Sequence, residues 1–276
     1  MSSGMPPQQR RIAGCEVDII DEGQGRPLVF LHPAIGLLHS DAALAELETL
    51  GRLIVPSHPG FGHSELPAGF DSVDDLAFFY LDLLAEFDLR DAVLIGSDLG
   101  GWIAAEACVR STGRIGAIVL AGAVGIRVGD RATPDLADVF ALPRAEIERL
   151  SFHDPAVAAI DLTTLSDTDL QAIARNRETA ALFAWSPYMH DPKLKRRLRR
   201  IDVPALLLWG EADGIAPVDY GRAYADAIPQ ARFETIPACG HYPHIEQPRE
   251  FVARIRTFLR SVAGGAGETA RAARDT

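Results

Sequence analysis

One aspartate sits at the apex of a glycine-flanked turn, Gly96-Ser97-Asp98-Leu99-Gly100-Gly101-Trp102. The apolar run Val93-Leu94-Ile95 enters the turn and an alanine-rich helical pattern over 103–107 leaves it, which reads as strand, tight turn, helix. Glycines suit such a turn because the chain around it has no room for side chains. The spacing is that of G-x-S-x-G, which holds an exposed nucleophile, with Asp98 where a serine would stand. A carboxylate needs no base to activate it, and the N-terminus of a helix favours its charge. Its attack on an ester carbonyl gives an anhydride, which gains little. Its attack on an sp³ carbon gives an alkyl ester, stable enough to form and weak enough to hydrolyse. The residue type therefore points to opening of an epoxide or displacement of a halide.

Holding that side chain in place is a task for a sheet. Residues 16–20 alternate as a strand near a sheet edge does, and 232–236 form a later strand. Continuous apolar runs at 27–31, 52–56, 115–121 and 203–210 suit strands buried on both faces. Helical spacing predicts helices over 40–50, from Ser72 to Phe87, over 218–227 and over 248–261. Ser40 or Asp41 caps the first of these, and Ser72 the second, with Asp74 and Asp75 at its positive end. Strands alternating with helices imply an α/β fold, a mostly parallel sheet with helices on both faces. In such sheets chemistry gathers at the carboxyl ends of the strands. His32, Asp98, Asp213 and His241 each fall just past a strand end, so one mouth of the sheet can bring them together.

From Val124 to Arg200 the pattern is helical and punctuated by Pro134, Pro143, Pro155 and Pro187. The expected organisation is a core over 11–123 and 201–262, a helical cap over 124–200, and disordered tails over 1–10 and 263–276. The basic run 193–200 reads as a solvated amphipathic helix. A net charge of −11 argues against nucleic acid or an anionic membrane as partner and leaves a small-molecule substrate. Cys15, Cys108 and Cys239 are far apart, without metal spacing, and fit a reducing cytoplasm. No apolar signal segment and no membrane-length apolar run is present. His58 and His63 have no carboxylate or thiol spaced with them, so no metal is expected, and no cofactor is implied.

With these landmarks in order over roughly 12–260, the chain resembles the α/β-hydrolase superfamily. Asp98 is similar to the nucleophile of its epoxide hydrolases and haloalkane dehalogenases, whereas Gly100-Gly101-Trp102 is more like serine-type members. The stretch 57–64 resembles the superfamily's D-x-P-G-x-G-x-S loop, with Ser57 in place of Asp. Gly210 to Pro217 resembles its acid loop, placing Asp213 at the acid, and Gly240-His241 resembles its histidine loop. The resemblance implies a triad of Asp98, Asp213 and His241 as nucleophile, acid and base. It also implies an oxyanion hole from backbone N–H groups. Pro33 has no N–H, so these belong to Leu99 and to Ala34, with Ile35 the alternative to Ala34.

Epoxide hydrolases use cap tyrosines to protonate the leaving oxygen, and only Tyr188 lies within 124–200. Haloalkane dehalogenases hold halide with a Trp directly after the nucleophile, and here that residue is Leu99. Trp185, Tyr188, His32, His153 and His190 are the candidate pocket groups. Epoxide opening is the first expectation and dehalogenation of a haloalkane or haloacid the second. A third, from another class, is a non-hydrolytic ligand binder, lyase, isomerase or cyclase in which Ser has become Asp.

Overall fold

The computed structural model of the chain describes residues 7–130, 133–159 and 162–272. Eight strands form one sheet: β1 (Gln8–Ile12), β2 (Cys15–Glu22), β3 (Pro27–Leu31), β4 (Arg52–Pro56), β5 (Ala92–Ser97), β6 (Ile115–Ala121), β7 (Ala205–Gly210) and β8 (Ala231–Ile236). Their spatial order is β1-β2-β4-β3-β5-β6-β7-β8. The β1–β2 and β2–β4 pairs are antiparallel and every later pair is parallel. The expected mostly parallel sheet is therefore the observed one, with β3, β5, β6 and β7 at its centre.

The helices are α1 (Asp41–Glu48), α2 (Val73–Glu86), α3 (Leu99–Arg110), α4 (Arg144–Ser151), α5 (Asp167–Ala184), α6 (Leu194–Arg197), α7 (Val218–Ala225), α8 (Pro243–Glu246) and α9 (Pro248–Ala272). Side chains alternate across a strand, so each central strand feeds two cores. Leu28 and Phe30 pack with Ala43 and Leu47 of α1 and Phe251 and Ile255 of α9. Val29 and Leu31 pack with Leu76 and Tyr80 of α2 and Ile103 of α3. Burying one such Leu or Phe is worth about 1.5–3 kcal/mol, which explains the unbroken apolar runs.

Helix starts follow the sequence in one case and not in another. The Asp75 carboxylate accepts from the N–H and hydroxyl of Ser72 at 3.0 and 2.6 Å, a local cap for α2. Ser40 precedes α1 in helical conformation, makes no side-chain cap bond, and leaves its buried hydroxyl without a partner. Both tails also differ from expectation. Residues 8–10 are strand, because β1 pairs with β2 across the Ala13-Gly14 turn. Residues 263–272 continue α9. Residues 1–6 and 273–276 lie outside the described residues.

Between β6 and β7 the regular elements among the described residues are helical: α4, α5, α6 and 3₁₀ turns at Pro155–Ala158, Leu162–Thr164 and Leu198–Arg200. The base of this insert is pinned by a bridge, with the Gly125 N–H donating to Met189 O and the Asp191 N–H to Gly125 O, each at 3.0 Å. Leu194 and Leu198 are buried along the basic run, while Arg196, Arg199 and Arg200 are exposed. Among the described residues no helix is long and apolar enough to cross a membrane.

Candidate active site

Asp98 sits between β5 and α3 with φ 51° and ψ −116°, a conformation that non-glycine residues avoid. Holding it there costs about 1–3 kcal/mol. The Asp98 N–H donates to Ala121 O at 3.0 Å, and its carbonyl accepts from Gly101 N at 3.0 Å, so sheet and helix hold it from both sides. The flanking glycines are steric necessities. A Cβ on Gly100 would lie 2.1 Å from Leu31 O, one on Gly96 2.3 Å from Gly100 O, and one on Gly101 2.5 Å from the Ala123 Cβ.

The Asp98 carboxylate is buried, and its two oxygens have different partners. Oδ2 accepts the Ala34 N–H at 2.9 Å. The Leu99 N–H, at the first turn of α3, meets no hydrogen-bond partner among the described residues. Oδ1 faces His241 Nε2 at 3.4 Å. His241 Nδ1 lies 2.8 Å from Asp213 Oδ2, which assigns its proton to that contact. Asp213 Oδ1 accepts the N–H groups of Ile215 and Ala216 at 3.0 and 2.8 Å, locking the acid after β7. The His241 N–H donates to Ser151 O at 2.7 Å, tying the base to the end of α4. Burial favours the neutral imidazole. The Asp213 charge and hydrogen bond, and then those of Asp98, outweigh it and raise His241 to about 10. The two acids therefore favour the protonated form of His241.

The other expected pocket groups are placed differently. His32 gives Nδ1 to Pro33 O at 2.7 Å and accepts the His58 N–H on Nε2 at 2.9 Å, so neither nitrogen is left for a ligand. It stacks on His58 at 3.6 Å, and burial lowers it to about 4. His32 thus braces the loop that carries Ala34. The Tyr188 hydroxyl donates to Ala137 O at 2.5 Å and accepts the Val139 N–H at 2.8 Å, so the backbone of the insert uses it in both directions. Trp185 is 58% exposed against Phe140, and His153 is exposed. His190 holds Tyr188 O through Nδ1 at 2.7 Å and borders a cavity of about 270 Å³ with Arg127, Asp135 and Tyr188. Neither Asp98 nor His241 lines that cavity.

Two residues of the mouth went unnoticed in the sequence. Tyr242 follows His241 directly, and its ring meets the imidazole edge-on at 4.8 Å. Glu246 accepts from Gly240 N at 2.5 Å and from Asp154 N at 3.0 Å, joining the histidine loop to the segment of the insert just after α4. The signal for both was adjacency: they share one short stretch, 240–246, with the base.

A sequence model described as the alpha/beta hydrolase family matches residues 28–255. The chain belongs to this family. It is 26% identical over 269 residues to 2-hydroxymuconate semialdehyde hydrolase of Pseudomonas sp. (strain CF600), covering 90% of this chain and 91% of that one. It is 29% identical over 241 residues to the biotin biosynthesis bifunctional protein BioHC of Teredinibacter turnerae, covering 79% of this chain but only 41% of that protein. A serine-to-alanine mutant of the meta-cleavage product hydrolase CumD of Pseudomonas fluorescens IP01, complexed with acetates, superposes with a TM-score of 0.74. That likeness, at 19% identity over 93% of this chain and 98% of the other, is one of fold. None of these three is named as an epoxide hydrolase or a dehalogenase.

Proposed function

We propose that this family member hydrolyses a small organic substrate through an alkyl ester on Asp98, and that the bond it opens is the C–O bond of an epoxide. The observation that carries this reading is the division of labour on the Asp98 carboxylate. Oδ2 is already in the hydrogen bond from Ala34 N–H that an ester carbonyl oxygen would keep, and Oδ1 is left facing His241 and the substrate side. Oδ1 attacks an sp³ carbon, the C–O electron pair goes to the ring oxygen, and that oxygen takes the proton from His241 Nε2. Asp98, now an ester, no longer lends His241 its charge, and Asp213 alone orients the imidazole that has given up its proton. Neutral His241, oriented by Asp213, takes a proton from water. The hydroxide adds to the acyl carbon while Ala34 and Leu99 N–H groups hold the oxyanion, and the diol leaves.

The halide alternative fits less well. Trp102 Nε1 donates to Glu106 at 3.3 Å, Trp209 Nε1 donates to Ala216 O at 2.8 Å, and Trp185 is exposed, so the indole N–H groups are bound elsewhere or outside. A second reading rests on the Asp98–His241 contact alone. Under it Asp98 and His241 only pass a proton to and from a ligand, and no bond to the protein forms. The test is intact-mass spectrometry of His241→Gln after exposure to a panel of epoxides. The proposal expects an adduct of epoxide mass, lost when Asp98 is also replaced by Asn. Turnover of an epoxide by the unmodified protein with no adduct in the variant would favour the proton-transfer reading.

A further inference from the structure

Ala34, whose N–H meets Asp98 Oδ2, lies on a tight turn that the Gly36 N–H closes onto Pro33 O at 2.9 Å. His32 and His58 hold this turn from the sheet. On its other side it is held by the insert. Asn176 of α5 is buried, and its amide spans two core loops: Nδ2 donates to Ile35 O at 3.3 Å, and Oδ1 accepts the Gly62 N–H at 2.8 Å. A backbone N–H can only donate, so the Gly62 contact fixes which way the amide points. Gly36 has φ 82°, and a Cβ on it would lie 2.3 Å from Asn176 Nδ2, so the amide occupies the space a side chain at 36 would need. The neighbours of Asn176 on α5 dock elsewhere. Arg175 donates to Gly60 O and Ser64 O at 3.0 and 2.7 Å, and the Thr179 hydroxyl donates to Gly60 O at 2.8 Å. All three side chains clamp α5 to 60–64, and of the three it is Asn176 that also grips the turn carrying Ala34.

We infer that Asn176 is a positioning residue: through this one amide the insert sets the Ala34 N–H for the charge that arrives on Asp98 Oδ2 when the ester is hydrolysed. The inference rests on the covalent reading. The two half-reactions make opposite demands on that N–H. As Asp98 attacks carbon, negative charge leaves its carboxylate, so a donor on Oδ2 gives no help to that step. In the second step water gives a proton to His241, its oxygen bonds to the acyl carbon, and the C=O electron pair goes to Oδ2. A donor fixed in advance stabilises that charge. Releasing Ile35 O lets the turn shift, so it slows hydrolysis of the ester without slowing its formation. Docking of α5 and the second half-reaction are thereby coupled.

The test compares Asn176→Ala with Thr179→Val, which loosens the same docking without touching the turn. Rapid quench with protein in excess over styrene oxide, read by intact mass, follows the adduct on Asp98 as it rises and decays. Decay should slow by about tenfold or more in Asn176→Ala, with the rise within a few-fold of the unmodified protein. Thr179→Val should leave both rates within a few-fold. A second readout needs no turnover: hydrogen exchange of the Ala34 amide, followed by NMR, should speed up in Asn176→Ala and not in Thr179→Val. Should Asn176→Ala not fold, Asn176→Asp, which keeps an acceptor for Gly62 and takes the amide donor from Ile35 O, is read in the same way. Unchanged decay, equal slowing of rise and decay, the same slowing in Thr179→Val, or unchanged Ala34 exchange overturns the role of Asn176 and leaves the ester on Asp98 standing. The covalent reading is checked with His241→Gln and two probes, styrene oxide and benzyl bromide, whose leaving group needs no proton. No adduct on Asp98 from either overturns that reading, and this role with it.

Discussion

Tyr242 and Tyr188 carry the same phenol, one on the turn beside His241 and one in the helical insert between β6 and β7. The first has an idle hydroxyl, and the second is bonded to the backbone on both sides. The contrast extends to the regions around them. At the mouth of the sheet, Asp98, His241 and Asp213 are tied to one another and to backbone N–H groups just past β3 and β7. In the insert the expected polar groups hold the insert itself together or face solvent, as Trp185 and His153 do. The lesson is that a polar side chain near a site matters by what its polar atoms lack. A satisfied hydroxyl is structure, and its removal costs stability.

That contrast can be broken by substitution. The largest effect belongs to Asp98→Ala, which removes the nucleophile. Steady-state epoxide hydrolysis should fall by about 10⁴-fold or more, with the fold intact by circular dichroism. A loss of less than tenfold would move the chemistry elsewhere. Next is Gly100→Ala, whose Cβ would sit 2.1 Å from Leu31 O. Relieving that overlap means moving β3 or α3, at about 3 kcal/mol, visible as a lower urea midpoint. An unchanged midpoint would show that the elbow tolerates a side chain.

Tyr188→Phe leaves Ala137 O and Val139 N–H without their hydroxyl partner, so stability should drop by about 1–2 kcal/mol. The rate of adduct formation from epoxide should stay within a few-fold. The smallest effect is expected of Trp185→Ala, which trims a ring that is 58% exposed. Stability should shift by about 0.5 kcal/mol or less and turnover should hold. A large loss of turnover in either variant would return the insert to the chemistry.

Sequence and structure meet where the backbone dictates the answer. The central strands were legible because strands buried on both faces leave unbroken apolar runs, and β3, β5, β6 and β7 have them. Asp98 was legible because three glycines around it exist only to let backbone pass backbone. The ends of the chain were not. Gln8–Ile12 is nearly all exposed, so β1 carries no apolar signature and exists through its ladder with β2. The roles of His32 and Tyr188 were not legible either, because they depend on which neighbours saturate each polar atom. His32 is bound by Pro33 O and the His58 N–H across 26 residues, and Tyr188 by backbone about 50 residues away. No local pattern encodes such pairings.

The central claim is that the substrate's new oxygen comes from Asp98 and only later from water. One turnover in ¹⁸O-labelled water, with protein in excess over epoxide, tests it by mass spectrometry of product and protein. The account predicts unlabelled diol from that first turnover and a single ¹⁸O in the peptide containing Asp98. Labelled diol with an unlabelled peptide would contradict it.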